Sequence, residues 1–185
     1  MATAKFLKFI GFRVTVADDR TEFANVERFS MVDKVICAPF EKAVSYDYPE
    51  NAVFIIMTRG HENDYICLKA LLDKKSRYIG MIGSKKKVKA IFDLLLKDGV
   101  SEEKIKEIHA PIGLEIGAKT PEEIAVSIAA QLLSMGIYSR DYSAVDEAVK
   151  NGGVLVTVIE KSGFPPCEIG SRMAVNGDKV IGTVG

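Results

Sequence analysis

The sequence predicts an α/β fold built on a doubly wound, mostly parallel sheet with helices on both faces. Residues 52–57 are a continuous apolar run, as expected of a strand covered on both sides, and residues 77–82 read as another buried strand. Each run leads through a short glycine-containing turn into a segment of helical periodicity. Buried strands alternating with helices form parallel sheets joined by right-handed crossovers.

The elements follow in order. Residues 2–10 read as the end of an amphipathic helix, with Phe6, Leu7, Phe9 and Ile10 apolar and Gly11 as its stop. Residues 13–16 read as a short strand ending at Asp18-Asp19-Arg20, and residues 35–37 as a second. After the strand at 52–57, Thr58-Arg59-Gly60-His61 opens a helix over 62–73. After the strand at 77–82, Gly83-Ser84 opens another, where Val88, Ile91, Phe92 and Leu95 share one face. Thr120-Pro121-Glu122-Glu123 is a helix start with cap, first-turn proline and capping-box glutamate. The helix after it, to 133, is apolar on most faces and is expected to be sandwiched.

The character changes near 140, so residues 1–140 are expected as one domain and 141–185 as a linker plus a short β-rich segment. In the latter, 141–150 is a linker or short helix, 154–159 a strand and 161–170 a Gly/Pro loop. Met173 to Val175 and Val180-Ile181 read as a hairpin turning at Asn176-Gly177.

Composition narrows the function. A hydrophobic share of 48% suits a globular core and excludes a disordered chain. The 25 basic and 25 acidic side chains cancel, so no global field draws nucleic acid or an anionic membrane. The apolar runs are too short to span a bilayer. Three scattered cysteines without a C-x-x-C pair argue for a reducing, cytoplasmic setting. With two histidines, His61 and His109, a Cys/His zinc site is not expected.

Candidate ligand contacts lie where strands end, because open α/β sheets bind ligands at their carboxyl edge. Asp18 and Asp19 follow the first strand, where an acid bonds ribose hydroxyls in dinucleotide folds; the alternative is a plain Asp-Asp turn. The glycine fingerprint of such folds is absent, and its position falls before Met1. Gly83, Ser84 and Lys86 form an anion site at a helix N-terminus, or simply an N-cap with a solvated lysine face. His61 and Asp64, three apart, are either ligand contacts or capping groups. Gly113 to Thr120 imitates a phosphate loop but carries Ala118 where that loop needs glycine, which argues against nucleoside triphosphate hydrolysis. His109 reads as structural. Cys167 has no visible base nearby, and no catalytic residue is assigned.

Several of these segments together resemble the XdhC/CoxI family, accessory proteins of molybdenum hydroxylases such as xanthine dehydrogenase. The resemblance covers residues 2–135. It rests on Gly11-Phe-Arg-Val-Thr-Val-Ala-Asp-Asp-Arg20, Glu22-Phe-Ala-Asn25, Glu27-Arg-Phe29, Thr58-Arg-Gly-His61 with Asp64, and Tyr78-Ile-Gly-Met-Ile-Gly-Ser84. Its longest stretch runs from Pro111 through Gly117-Ala-Lys-Thr120 to Ile128. Gly170-Ser-Arg-Met173 and Gly182-Thr-Val-Gly185 resemble the start of the family's CoxI-like domain, which in familiar members comes first.

The resemblance implies a Rossmann-like domain lacking its own first strand, and hence a fragment, a miscalled gene or a split subunit. It implies a cofactor chaperone rather than a catalyst. Such a factor binds the molybdenum cofactor (molybdopterin), through Asp18, Asp19, His61, Asp64, Gly83, Ser84 and Lys86, and aids its insertion. Its implied partners are a molybdenum hydroxylase apoenzyme, a sulfur transferase and a second copy of itself. The alternatives are an NAD(P)-binding oxidoreductase-like domain, or an incomplete fragment needing a partner chain. A further expectation is that Val154 to Ile159, or a partner's strand, fills the place of the absent central strand, since open edges leave N–H and C=O groups unpaired.

Overall fold

A computed structural model describes residues 1–137, 142–163, 167 and 169–185. The chain divides into two compact units, Met1–Tyr138 and Ser139–Gly185. The boundary expected near 140 lies outside the described residues.

The first unit is a Rossmann-type α/β domain. Its elements are α1 (Ala2–Phe9), β1 (Thr15–Asp18), β2 (Lys34–Cys37), α2 (Phe40–Ser45), β3 (Val53–Ile56), α3 (His61–Leu71), β4 (Tyr78–Met81), α4 (Lys85–Lys97), α5 (Glu102–Lys106), β5 (Ile108–His109) and α6 (Pro121–Ser134). All sheet pairing is parallel, in two pieces: β1 with β2, and β3-β4-β5.

Alternation along each strand sorts side chains to two faces. Ile56, Ile79 and Met81 point into one cluster with Leu68 and Leu71 of α3, Ile91 and Leu95 of α4, and Ile105 of α5. Val14, Val16, Val53, Ile55 and Tyr78 point the other way, into a cluster with Leu7 of α1 and Ile128 and Leu132 of α6. That second cluster draws on both sheet pieces, so α1 and α6 form a common cover over them. Gly80 is required within β4, because a Cβ there would lie 2.5 Å from Cδ1 of Ile112.

The register leaves two strand edges open. The N–H and C=O groups of Thr15 and Ala17 turn away from β2, and those of Val53 and Ile55 turn away from β4. No backbone partner meets them among the described residues.

The second unit holds α7 (Ser143–Lys150), β6 (Val154–Thr157), β7 (Arg172–Asn176) and β8 (Lys179–Gly182), with the strands in an antiparallel meander. This corrects the expectation for Val154 to Ile159. The segment gives its ladder to β7 rather than to β1 or β3, because an antiparallel neighbour is available nearby in the chain.

Other expectations shift by less. The first strand begins two residues late, at Thr15; just before it the side chain of Asp33 accepts the Val14 N–H at 2.7 Å. The hairpin closes over Gly177-Asp178, with Asn176 paired to Lys179 and Gly177 at φ +58°. The helix α6 is not sandwiched: Ile128 and Leu132 are buried, while Val126 and Leu133 face solvent. The short elements α2, α5 and β5 had no expectation at all. Of the loop expected at 161–170, residues 164–166 and 168 lie outside the described residues.

Candidate functional site at the carboxyl edge

Parallel pairing sends the carboxyl ends of the strands in each sheet piece to one edge. At β3 the chain leaves through Thr58-Arg59-Gly60 into α3, with Gly60 at φ +88°, a conformation that glycine adopts without strain. Asp64, in the first turn of α3, is 0% exposed. Its Oδ1 accepts from the Thr58 hydroxyl at 2.6 Å and from the Thr58 N–H at 3.3 Å. Its Oδ2 is paired with the ammonium of Lys87, whose side chain is 17% exposed. Lys87 belongs to the first turn of α4, and its stem packs on Gly83, where an added Cβ would lie 3.1 Å from Lys87 Cδ.

This buried ion pair ties the N-terminus of α3 to that of α4, across the adjacent strands β3 and β4. A buried carboxylate costs several kcal/mol unless it is paired and hydrogen-bonded, and Asp64 has both kinds of partner (about 3–5 kcal/mol is the usual loss when one partner is removed). Asp64 is therefore a positioning group, holding the β3 exit against α3. Ser84 Oγ caps α4 by accepting the Lys87 N–H at 3.2 Å.

At β1, Asp18 is gripped by the guanidinium of Arg20, with Nε to Oδ1 at 2.8 Å and Nη2 to Oδ2 at 2.9 Å. The hydrogen bonds from Arg20 are the main reason that the Asp18 carboxyl titrates below its ordinary value. Asp19 is exposed, 3.7 Å from Arg20 Nε. Arg20 also stacks on Phe23, 3.9 Å from the ring centre. Arg28 and Arg59 lie 4.9 and 5.7 Å from the same centre. Phe23 thereby joins the exit of β1 to the exit of β3.

The expected residues thus fall into connected groups. Asp64, Gly83 and Ser84 meet through Lys87, and Asp18 and Asp19 meet through Arg20. His61 and Lys86 sit exposed at the starts of α3 and α4. Sequence reasoning missed Thr58, Lys87, Phe23, Arg28 and Arg59 as members. Lys87 stood in a three-lysine run that reads as a solvated face, and nothing local marked which lysine turns inward.

The look-alike phosphate loop is used up internally. The N–H groups of Lys119 and Thr120 donate to the Glu123 carboxylate at 2.6 and 3.0 Å, and that of Gly113 to Gln131 Oε1 at 2.8 Å. His109 stacks on Tyr78 with ring centres 4.5 Å apart, and burial lowers its pKa. Burial pushes the Cys67 thiol up to about 12, which makes it a poor nucleophile. Among the described residues no group of three or more His, Cys, Asp or Glu is placed to hold a metal ion, and no helix is long and apolar enough to cross a membrane.

A family model described as the XdhC Rossmann domain matches residues 1–132. The chain belongs to that family. The chain is 33% identical over 136 residues to a protein named uncharacterized protein YqeB of Escherichia coli (strain K12), covering 72% of this chain and 25% of that one. It is 30% identical over 125 residues to a probable xanthine dehydrogenase subunit of Bacillus subtilis (strain 168), covering 66% of this chain and 36% of that one. A crystal structure described as a xanthine dehydrogenase from Bacillus halodurans aligns with a TM-score of 0.63 at 29% identity, over 77% of this chain and 40% of that one. The chain therefore spans about a quarter to two-fifths of the length of these relatives.

Proposed function

We propose that the chain is the Rossmann-type part of an accessory factor in xanthine dehydrogenase systems. In this reading it binds the molybdenum cofactor in the cytoplasm and aids its insertion into a hydroxylase apoenzyme, without itself catalysing turnover. Family membership and the name of the Bacillus subtilis relative support the link to xanthine dehydrogenase.

The observation that carries the cofactor reading is the charge at the carboxyl edge. Of the two acids in the first turn of α3, Glu62 is exposed and the buried Asp64 is neutralised by Lys87, whereas Lys86 and Arg59 have no carboxylate partner among the described residues. Cationic side chains and helix N-termini suit an anionic pterin phosphate. The donor set fits the group: Ser84 and Lys86 on α4, with His61 on α3, would hold it, and Asp18 and Asp19 would orient polar edges of the pterin. When bound, the cofactor supplies the molybdenum chemistry that the hydroxylase later uses. The protein's own residues bind it, orient it and keep the Thr58 to His61 turn in place through Asp64.

The reading includes a second copy of the chain or a sulfur transferase as further partners. A strand from such a partner would satisfy the open edges of β1 and β3. Titration of the purified chain with isolated cofactor, followed by mixing with cofactor-free hydroxylase, is the direct test. Saturable binding and faster recovery of hydroxylase activity are expected. Neither binding nor recovery at stoichiometric concentration would sink the proposal.

A further inference from the structure

We infer that Arg28 and Arg59, gathered on Phe23 at the carboxyl edge, form a two-guanidinium clamp for a phosphate or pyrophosphate group. The inference rests on the carboxyl edge as the ligand site, and it names the residues and the ligand chemistry. Neither arginine drew attention as a ligand contact in the sequence.

Three guanidiniums lie within 6 Å of one phenylalanine ring centre. Their neutralisation is uneven. Arg20 takes up both oxygens of Asp18 and has Asp19 and Glu22 acting on it as well. Arg28 and Arg59 have no ion-pair partner among the described residues; the backbone N–H of Arg28 goes to Asn25 Oδ1, and the carbonyl of Arg59 accepts from Asn63. Stacking on an aromatic face orients a guanidinium and leaves its edge N–H donors free. It does not cancel the charge. Two guanidiniums on one ring, neither with an ion-pair partner of its own among the described residues, are suited to neutralisation by a bound anion.

Position fits the same ligand. Arg59 is two residues from the start of α3, at the exit of β3, and Arg28 reaches the same ring from the segment after β1. The shared ring joins the segment after β1 to the exit of β3. Asp64 locks the arginine's own turn by accepting both the N–H and hydroxyl of Thr58. Planar, bidentate donors of this kind match phosphate oxygens better than lysine does.

The test uses the intact chain and inorganic pyrophosphate, phosphate and ADP, each titrated by calorimetry at low and moderate salt. Saturable pyrophosphate binding that weakens with salt is expected, with ADP competing if the natural source is a nucleotide and not competing if only free pyrophosphate fits. Arg28→Gln and Arg59→Gln should each weaken binding by about tenfold or more, and Lys69→Gln should leave it unchanged. Arg28→Lys and Arg59→Lys keep the charge and serve where a glutamine variant fails to fold; a several-fold loss is expected from the missing bidentate contact. Pyrophosphate affinity unchanged in all four arginine variants, with only thermal stability lowered, would reduce the cluster to a structural staple and overturn the clamp. So would the lack of saturable binding of any of the three anions. Failure of the molybdenum cofactor to bind while pyrophosphate still does would reject the functional reading and leave the clamp standing.

Discussion

The two units of the chain bury apolar surface in different ways. In Met1–Tyr138 the β3-β4-β5 piece is covered on both faces, and residues such as Leu68, Ile91, Ile128 and Leu132 are wholly enclosed. In Ser139–Gly185 a three-stranded sheet carries one helix, α7, and its buried cluster is Val145, Ala148 and Ala174. There Val154 is 66% exposed and Val180 62%. A parallel sheet needs both faces covered, because its strands are apolar throughout, whereas an antiparallel sheet can leave one face to solvent. A segment this small has little core of its own, so its stability is expected to be marginal.

The sharpest test of the comparison is the ion pair in the larger unit. Lys87→Met strands the Asp64 carboxylate in the interior and should cost about 3–5 kcal/mol in urea unfolding. Adding Asp64→Asn to that variant should recover part of the loss; a double variant no more stable than the single would show that the pair is not what holds the turn. Next in size, Leu132→Ala opens a cavity under the α1/α6 cover and should cost about 2–5 kcal/mol. Val145→Ala, in the smaller unit, removes two methyl groups and should cost about 1.6 kcal/mol. If the units are independent, each substitution lowers one calorimetric transition and spares the other. A single shared transition would erase the contrast drawn above.

Smaller effects follow from the ends of helices. Thr120→Ala removes the cap of α6, whose side chain accepts the Glu123 N–H at 3.2 Å, and should cost about 1 kcal/mol. The smallest expected effect is on pH dependence. His109 and Asp18 both titrate lower in the folded chain than in the unfolded one, His109 through burial and Asp18 through Arg20. For each, the unfolded chain binds the proton more readily, so the stability is full above the unfolded pKa and is lost as pH falls through the folded one. Through these two groups, unfolding midpoints should decline below the ordinary histidine pKa of about 6.5, and further below the ordinary aspartate pKa of about 3.9. His109→Phe should abolish the first decline and keep the second.

Much of the larger unit was legible in its sequence because its signals are local. The apolar run at 52–57 is typical of a covered strand, residues 77–82 read as another, and Thr120-Pro121 with Glu123 announced α6 within four residues. The helix α2 and the strand β5 escaped because they are short, at Phe40–Ser45 and Ile108–His109, and a single turn or two residues carries no periodicity. The expected contacts Asp18, His61, Asp64 and Ser84 all lie at strand ends, since position in a β-to-helix turn is itself a sequence signal. Their partners were not legible. Nothing near Asp64 points to Lys87, and nothing near Phe23 points to Arg59.

By itself the sequence determined the class of fold, the order of most elements, the place of the carboxyl edge and the family resemblance, because these depend on patterns within a few neighbouring residues. Tertiary structure decided which lysine turns inward, which arginines share a ring, and which strand Val154 to Thr157 joins. Those choices depend on which surfaces come together after the chain has folded. Pairing of charges and ladders across long sequence separations is settled there by burial and competition for partners, not by local preference.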